Sequence, residues 1–223
     1  MKKAKIVEIF DSIQGEGLYA GEAHVFVRFY GCNLECSFCD EKGKYIFSEY
    51  DAEEAVERIV SGKADTVSLT GGEPLLHTDF LKEILPVLKA KDMKVYLETN
   101  GILRDKLLEI LDFVDIISMD LKLPSSTGLR PYWQEHEDFL KEAIKKEAFV
   151  KSVVSAKTIL SDIKMAVSIV KALDKNIPFI IQPVSYNDSI EKIALLPDFF
   201  DSARKDLTGV RIMPQIHKIL GVR

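Results

Sequence analysis

The chain has 223 residues, 47% of them hydrophobic, and a formal net charge of −5. This length suits a single domain over residues 1–223 with a sizeable core. It has no basic stripe to follow a nucleic-acid backbone and no apolar run long enough to span a bilayer, which argues against nucleic-acid and membrane partners. The basic residues 1–5 lack the apolar segment of a signal peptide. We therefore expect a soluble, cytoplasmic protein.

Apolar segments alternate with amphipathic ones along most of the chain. Candidate helices lie at 52–61, 79–90 and 162–173; Asp51 and Glu54 form the pattern of a capping box, and Pro86 is expected to kink the second helix. Strands that alternate with helices predict an α/β fold with a parallel sheet, either doubly wound or an incomplete barrel. The candidate strands are 24–29, 66–70, 94–98, 116–120, 149–154 and 179–182, with a seventh at 210–213.

Four of these strands end in polar segments, three of which contain glycine or proline. The segments are residues 70–74, 98–101, 120–122 and 182–185. In both architectures the chemistry gathers at the C-terminal ends of parallel strands. We therefore expect the four segments to meet at one rim of the sheet and to form the functional site there.

The cysteines are the sharpest feature of the sequence. All three lie within eight residues, after the first predicted strand: Cys32, Cys36 and Cys39. Such an odd, clustered set is typical of a metal or cluster site in a reducing compartment. Three thiolates on a 4Fe–4S cluster leave one iron open to bind a small molecule.

Two alternatives to an iron–sulfur cluster stay open at this point. The first is three unligated core cysteines. The second is a structural zinc site, which needs a fourth ligand because zinc is held in a closed tetrahedron. The candidates for that ligand are His24, His77, His217 and Asp40.

The Cys-x3-Cys-x2-Cys spacing, with Phe38 before the last cysteine, resembles the radical S-adenosylmethionine (SAM) superfamily. Residues 71–74, Gly-Gly-Glu-Pro, match the second motif of that superfamily. The resemblance implies a partial (βα)6 TIM-like barrel with a 4Fe–4S cluster on the three cysteines and SAM on the open iron. It places Gly72 and Glu73 at the SAM amino group, and Phe38 and Asp40 near the adenosine. From their positions near strand ends, five further residues are expected to reach SAM: Asn100, Ser118, Lys122, Gln182 and Ser185.

The chemistry implied by this resemblance belongs to the cofactor. The reduced cluster donates one electron to the SAM sulfonium, and the resulting 5′-deoxyadenosyl radical abstracts a hydrogen atom from the substrate. The protein holds that hydrogen close and keeps solvent away. No side chain is assigned a catalytic role beyond the cluster and SAM.

Segments at both ends of the chain narrow the resemblance. They are residues 8–17 (Glu-Ile-Phe-Asp-Ser-Ile-Gln-Gly-Glu-Gly), 97–101 (Leu-Glu-Thr-Asn-Gly), 122–126 (Lys-Leu-Pro-Ser-Ser) and 213–218 (Met-Pro-Gln-Ile-His-Lys). From about residue 6 to the C-terminus, the combination closely resembles the 7-carboxy-7-deazaguanine synthases of the queuosine and archaeosine pathways. The resemblance implies a carbon–nitrogen lyase that contracts the ring of 6-carboxy-5,6,7,8-tetrahydropterin, with loss of ammonia, to 7-carboxy-7-deazaguanine. It also implies magnesium, a homodimer and a flavodoxin or ferredoxin as electron donor.

The candidate substrate residues are Ile13, Gln14, Gly15, Glu16, Arg28, Thr70, His217 and Arg223. Arg28 suits a bidentate contact with the substrate carboxylate, with a salt bridge as the alternative. Gln14 and Glu16 suit the pterin edge, with an ordinary tight turn as the alternative. A lone histidine is more often structural, so His217 depends on the resemblance, as does the terminal carboxylate of Arg223. Lys151 is a weaker candidate, and its alternative is an ordinary exposed lysine.

Two positions depart from the family pattern. In the family a threonine, the usual magnesium ligand, follows Cys-Asp, but here the residue is Glu41. A carboxylate is a hard oxygen donor that suits magnesium. Three outcomes stay open: Glu41 binds the metal in the usual place, binds it in a shifted place, or indicates a different substrate. Phe38 replaces the usual tryptophan.

Two further functions remain as alternatives. One is a glycyl-radical-enzyme activase, whose substrate is a protein; the other is a non-catalytic zinc or electron-transfer protein, which leaves Gly71–Gly72–Glu73–Pro74 without a purpose.

Overall fold

The computed structural model describes residues 2–40, 43, 46–186 and 189–222. The strands are β1 (Ala4–Ile13), β2 (Ala23–Phe29), β3 (Ser48–Tyr50), β4 (Thr66–Gly71), β5 (Lys94–Thr99), β6 (Ile116–Asp120), β7 (Glu147–Val154), β8 (Phe179–Pro183), β9 (Ser185–Tyr186), β10 (Ser189–Ile190) and β11 (Val210–Ile212). The helices are α1 (Ala52–Val60), α2 (Thr78–Lys89), α3 (Arg104–Leu108), α4 (Pro124–Thr127), α5 (Trp133–Ala143), α6 (Leu160–Leu173), α7 (Leu196–Arg204) and α8 (Ile216–Leu220).

Nine of these strands form one sheet, in the order β11-β8-β7-β6-β5-β4-β2-β1-β3. From β2 to β11 every pairing is parallel, whereas β1 pairs antiparallel with β2 and β3 with β1. The parallel strands follow one another in chain order, so the crossover helices all lie on one face of the sheet. This is the winding of a partial (βα)6 TIM-like barrel, and it excludes the doubly wound alternative, in which the strand order reverses.

Period-two alternation divides the sheet into two faces with different surroundings. On the outer face, apolar residues such as Val67, Leu69, Val95 and Leu97 pack with the helices in the main hydrophobic core. Helix α1 joins that core through Ala55, Val56 and Ile59, and the predicted capping box of Asp51 and Glu54 begins it. The opposite residues of each strand point to the inner, concave face.

The inner face is apolar at one end and polar at the other. At the N-terminal end of the strands a small separate cluster is formed by Tyr96, Ile116, Phe149 and Ile180. Two residues further along the strands stand Glu98, Ser118, Lys151 and Gln182, which line a cavity. The aromatic cluster therefore forms a floor, and the polar residues stand above it at the C-terminal ends of the strands.

All seven predicted strands are present, and each differs from its predicted range by at most two residues at either end. The helix predicted at 79–90 is α2, which continues past Pro86 to Lys89. The long strand β1 was not predicted; it forms a hairpin with β2 and carries the segment that precedes Gln14. Among the described residues, none of the helices is both long and apolar enough to span a membrane.

Candidate active site

A cavity of about 1160 Å³ opens at the C-terminal ends of the parallel strands. All four predicted polar segments contribute to its wall, through residues such as Thr70, Asn100, Asp120 and Gln182. The cysteine loop, which follows β2, closes one side of it, and the C-terminal segment that contains α8 meets that loop, where Lys218 pairs with Asp40 at 2.9 Å. The expected meeting of the strand ends at one rim is therefore what the fold produces.

The cysteine loop and the Gly-Gly-Glu-Pro segment are locked together through their backbones. The N–H of Gly72 donates to the carbonyl of Phe29 at 3.0 Å, and the N–H of Glu73 donates to the carbonyl of Gly31 at 2.8 Å. A side chain at position 72 has no room, because its Cβ would lie 1.8 Å from the Gly31 oxygen. Glycine at this position therefore allows the two motifs to touch.

The far end of the cysteine loop is anchored on α4. Ser37 donates its backbone N–H to the carbonyl of Thr127 at 2.8 Å and its hydroxyl to the carbonyl of Ser126 at 3.0 Å. On the β5 side, the amide of Asn100 donates to the side-chain oxygen of Asn33 at 2.8 Å. The loop is thus held from three directions, which fixes where its thiols stand.

All three cysteines line the cavity: Cys32 is exposed, Cys36 is buried and Cys39 is intermediate. Burial raises the pKa of the Cys36 thiol, and the ammonium of Lys122 opposes this shift. No three acidic, histidine or cysteine side chains of the described residues are placed to share a single metal ion. A 4Fe–4S cube takes its thiolates on separate iron atoms, so three thiols spread over one wall suit it.

Buried polar side-chain atoms at the end of β6, and at and just after the end of β8, also line the cavity. Within the part of the chain that the structure describes, three buried side-chain oxygens there have no hydrogen-bond partner: Asp120 Oδ1, Gln182 Oε1 and Ser185 Oγ. Buried polar atoms are normally bonded, so these three fit a polar ligand such as the ribose and amino-acid groups of SAM. The bare backbone at Gly72 offers room for close approach. The residues present therefore fit a cluster with SAM beside it.

Unlike the other residues predicted to hold SAM, Glu73 lies behind the cavity wall. Its side chain is fully buried and does not line the cavity. One carboxylate oxygen accepts from the Leu75 N–H at 3.1 Å and the Thr99 hydroxyl at 2.9 Å, and the other accepts from the Asn100 N–H at 2.8 Å. Burial raises the Glu73 pKa to about 7, although these hydrogen bonds act to lower it. Glu73 thus ties the end of β5 to the Gly-Gly-Glu-Pro segment.

Gln14 and Thr70 converge on a carboxylate that the sequence analysis did not single out. Glu98 accepts from the Gln14 amide at 2.8 Å and from the Thr70 hydroxyl at 2.8 Å. Burial raises the pKa of Glu98, as does the nearby Glu16 carboxylate, while Lys151 opposes them. Glu98 lies two residues after Tyr96 on the inner face of β5, so its strand position was the signal that could have revealed it.

Lys151 is not the ordinary exposed lysine that was the alternative for it. It is buried on the inner face of β7, and its ammonium is paired with the Glu16 carboxylate. Burial alone would raise the pKa of Glu16, but the Lys151 ammonium, together with the Gln215 amide and His217, outweighs it and lowers that pKa. The same ammonium lies 3.8 Å from Asp120. A positive charge therefore stands among carboxylates in the cavity wall.

Arg28 lines the cavity on the inner face of β2, as expected. It forms an ion pair with Glu8 across the hairpin, with 2.9 Å between Nε and the carboxylate oxygen. Its guanidinium also lies over the Phe10 ring, 5.6 Å from the centroid. The salt bridge named as the alternative is thus present in a residue that also faces the cavity.

The C-terminal segment lies against the N-terminal Gln-Gly-Glu loop. The N–H of Ile216 donates to the carbonyl of Gly15 at 2.9 Å, and the amide of Gln215 donates to Glu16 at 2.6 Å. His217 lines the cavity and packs on Gly15, where a Cβ would lie 1.9 Å from its Nδ1 atom. These contacts bring together two segments that are about 200 residues apart in sequence.

Most of the predicted site residues therefore share this one cavity. Those on its wall are Cys32, Cys36, Cys39, Phe38, Asp40, Gly72, Asn100, Ser118, Lys122, Gln182, Ser185, Ile13, Gln14, Glu16, Arg28, Thr70 and His217. Gly15 and Glu73 lie just behind it. Glu41 and Arg223 lie outside the described residues. Wall residues that the sequence did not assign to SAM or substrate include Glu98, Asp120 and Gln215, and Lys151 was only a weaker candidate.

Comparison with known proteins agrees with this geometry. The model of the radical SAM superfamily matches residues 26–160. A 7-carboxy-7-deazaguanine synthase of Geobacter sulfurreducens is 36% identical, over 98% of this chain and 97% of that protein. One from Archaeoglobus fulgidus is 32% identical, over 99% of this chain and 100% of that protein.

Among solved structures, the crystal structure of QueE from Escherichia coli has a similar fold. Its TM-score is 0.66 at 19% identity, with 95% of this chain and 94% of that chain covered. Two curated relatives above 30% identity match almost end to end, and the superfamily model covers both cysteine and glycine motifs. The chain therefore belongs to the 7-carboxy-7-deazaguanine synthase family of the radical SAM superfamily.

Proposed function

We propose that the protein is a 7-carboxy-7-deazaguanine synthase, which contracts 6-carboxy-5,6,7,8-tetrahydropterin to 7-carboxy-7-deazaguanine with release of ammonia. The observation that carries this proposal is the meeting of three segments at one cavity. The cysteine loop, the Gln14–Glu16 loop and the C-terminal segment at Gln215–Lys218 all line it or pack directly on it. The first is common to the superfamily, whereas the other two are those that resemble this family.

The proposed cofactors are a 4Fe–4S cluster on Cys32, Cys36 and Cys39 and a SAM molecule beside it. When bound, they supply a carbon radical that abstracts a hydrogen atom from the substrate. The chain's own task is to orient these groups. The open oxygens of Asp120 and Gln182 suit the polar parts of SAM, and the backbone at Gly72 allows close approach.

Most of the proposed substrate residues line the same cavity. Gln14 and Thr70 hold the Glu98 carboxyl in place, and the Glu16 carboxylate stands beside them as a hydrogen-bond acceptor for the N–H groups of a pterin edge. Arg28 is placed to take the substrate carboxylate, because it lines the cavity and a guanidinium carries several N–H donors in a fork that matches a carboxylate. His217 and Arg223 complete the proposed set.

The floor of the cavity suits radical chemistry. Tyr96, Ile116, Phe149 and Ile180 close the N-terminal end of the inner face with side chains that are almost fully buried. An apolar floor excludes water from beneath the substrate, which limits side reactions of a reactive intermediate. The polar groups are thereby confined to the walls, where they set the orientation of the substrate.

Magnesium, the electron donor and the oligomeric state belong to the same proposal. Glu41, next to the cysteine loop in sequence, offers a hard oxygen to magnesium. Cys32 is exposed, so a cluster on it would lie near the surface, within reach of a flavodoxin or ferredoxin. We further propose a homodimer in the reducing cytoplasm, in line with three free thiols.

The test is anaerobic reconstitution with iron and sulfide, followed by dithionite, SAM, magnesium and 6-carboxytetrahydropterin. We expect 7-carboxy-7-deazaguanine with SAM regenerated, and no product from the Cys36→Ala variant, which should also lack the visible absorption of the cluster. If 5′-deoxyadenosine accumulates without product, the substrate is a different one. If zinc is bound and no cluster assembles, the proposal is wrong altogether.

A further inference from the structure

Four charged side chains form a row of alternating sign across the wall of the cavity. The row consists of Glu16, Lys151, Asp120 and Lys122, all of which line the cavity. Lys151 pairs with Glu16 and lies 3.8 Å from Asp120, and Lys122 lies 2.9 Å from the same Asp120 oxygen. Each side chain is at most 16% exposed. The charges are therefore largely desolvated.

The fold places these residues together from separate elements. Asp120 and Lys151 are paired directly across β6 and β7. Glu16 follows β1 and lies 135 positions before Lys151. Asp120 and Lys151 both lie on the inner face of the sheet, and the loop after β1 places Glu16 beside Lys151.

The middle of the row depends on Lys151. Burying a charge is costly unless an opposite charge stands next to it. Without the Lys151 ammonium, Glu16 would lose the cation that it pairs with, and Asp120 would depend on Lys122. Glu98 is a further buried carboxyl nearby, and Lys151 acts on its charge as well. One ammonium thus holds together several carboxylates that would otherwise repel one another.

The two ends of the row belong to different parts of the site. At one end, Glu16 accepts from Gln215 of the C-terminal segment at 2.6 Å. At the other end, the Lys122 ammonium lies 5.8 Å from the centroid of the Phe38 ring in the cysteine loop. The row therefore connects the Gln-Gly-Glu loop and the C-terminal segment with the cysteine loop through Lys151 and Asp120.

We infer that Lys151 is a positioning residue that couples the two ends of the cavity, so that occupation of the substrate end strengthens binding at the SAM end and the reverse. This inference rests on the proposed function for the identity of the two ligands. It goes beyond that function because Lys151 acts through Glu16 and Asp120 rather than on the reacting atoms. Such coupling is reciprocal: each ligand raises the affinity for the other by the same factor.

The test measures binding, in the absence of any reductant, to the anaerobically reconstituted protein. Calorimetry gives the affinity for SAM with and without 6-carboxytetrahydropterin, in the wild type and in Lys151→Met, Lys151→Arg and Glu16→Gln. The control is Lys171→Met, which removes an exposed lysine that pairs with Asp206 on the surface. Thermal unfolding of every variant shows whether it is folded.

We expect Lys151→Met to weaken pterin binding by about tenfold or more, since a fold-change of ten corresponds to about 1.4 kcal/mol, and to abolish the mutual enhancement. Lys151→Arg should restore part of the enhancement, and Lys171→Met should leave both affinities unchanged. In turnover, Lys151→Met should release more 5′-deoxyadenosine per product. Unchanged affinities and unchanged enhancement in a folded Lys151→Met protein would overturn the inference, as would a loss that Lys151→Arg does not rescue.

Failure of the proposed function gives a different result. In that case the wild type itself does not bind the pterin, and the inference is judged on SAM alone. The row then predicts that Lys151→Met weakens SAM binding, through Asp120 and Lys122, while Lys171→Met does not. Equal SAM affinity in the two variants would then contradict it.

Discussion

The Nε2 atom of His136 accepts a hydrogen bond from the backbone N–H of Lys122 at 3.0 Å. Its Nδ1 atom lies 3.0 Å from the carbonyl oxygen of Gly101, so Nδ1 carries the proton and donates it there. A neutral, fully buried imidazole thus joins the loop after β5 to the loop after β6. Both loops line or adjoin the cavity, through Asn100 and Lys122.

This bridge predicts a loss of stability in acid. Burial lowers the pKa of His136 to about 4, below the ordinary 6.5. The unfolded chain therefore binds a proton first, and the free energy of unfolding falls as the pH drops from 6.5 toward 4, by about 3 kcal/mol from this group. In urea titrations over that range, His136→Gln should be less stable at neutral pH but should lose less stability on acidification. An identical pH dependence in the two proteins would show that His136 does not carry the effect.

The contact between Gly72 and Gly31 predicts that a methyl group added at position 72 displaces the cysteine loop. Gly72→Ala would place its Cβ on the Gly31 oxygen, so the cysteine loop must move, at a cost of about 1–3 kcal/mol. We expect less iron per chain after reconstitution and weaker SAM binding. Gly209→Ala is the matched control, because its Cβ meets nothing closer than 3.4 Å. Equal iron content in the two variants would contradict the interlocking of the two motifs.

The packing of His217 on Gly15 predicts a second steric effect, at another part of the cavity. Gly15→Ala would put a methyl group on the imidazole, so α8 must shift away from the Gln-Gly-Glu loop. Since this contact lies at the proposed substrate end, we expect a raised KM for the pterin, about tenfold, with the iron content kept. Steady-state kinetics with SAM saturating measures it. An unchanged KM for the pterin would contradict the placement of this contact at the substrate end.

The hydrogen bonds of Glu73 predict that replacing its carboxylate with an amide destabilises the protein. All the described hydrogen-bond partners of the Glu73 carboxylate are donors: Leu75, Thr99 and Asn100. Glu73→Gln turns an amide N–H₂ toward at least one of them, which should cost about 1–3 kcal/mol in unfolding free energy. Glu57→Gln, on the exposed surface of α1, should change stability by less than about 0.5 kcal/mol. A Glu73→Gln protein as stable as Glu57→Gln would mean that Glu73 is not held by these bonds.

The parallel strands could be predicted from the sequence because each is a short apolar run bounded by polar or glycine-rich residues. Strand β1 could not, since its register with β2 shifts between Ile6 and Glu8. This irregularity breaks the alternation by which a strand is recognised. Once the strands are known, the alternation of side chains along each strand predicts that Thr70, Glu98 and Gln182 face the cavity.

The segments of the site could be predicted, but the connections between them could not. The wall positions of Gln14 and His217 depended on the resemblance to a family, because no local pattern distinguishes a turn or a lone histidine from a binding residue. The burial of Lys151 was missed for another reason. Its partner Glu16 is far away in sequence, and the charge of a lysine alone indicates a solvent-exposed side chain.

The floor formed by Tyr96, Ile116, Phe149 and Ile180 has a consequence for how this protein tolerates change. Along each inner strand face, packing residues and ligand-facing residues are only two positions apart, yet they occupy separate layers. Substitutions at Ile116, Phe149 and Ile180 change the packing of the lower layer without replacing any polar group of the layer above it. Thermal robustness and substrate preference can therefore be altered independently, by laboratory selection or by natural drift, on the same short strands.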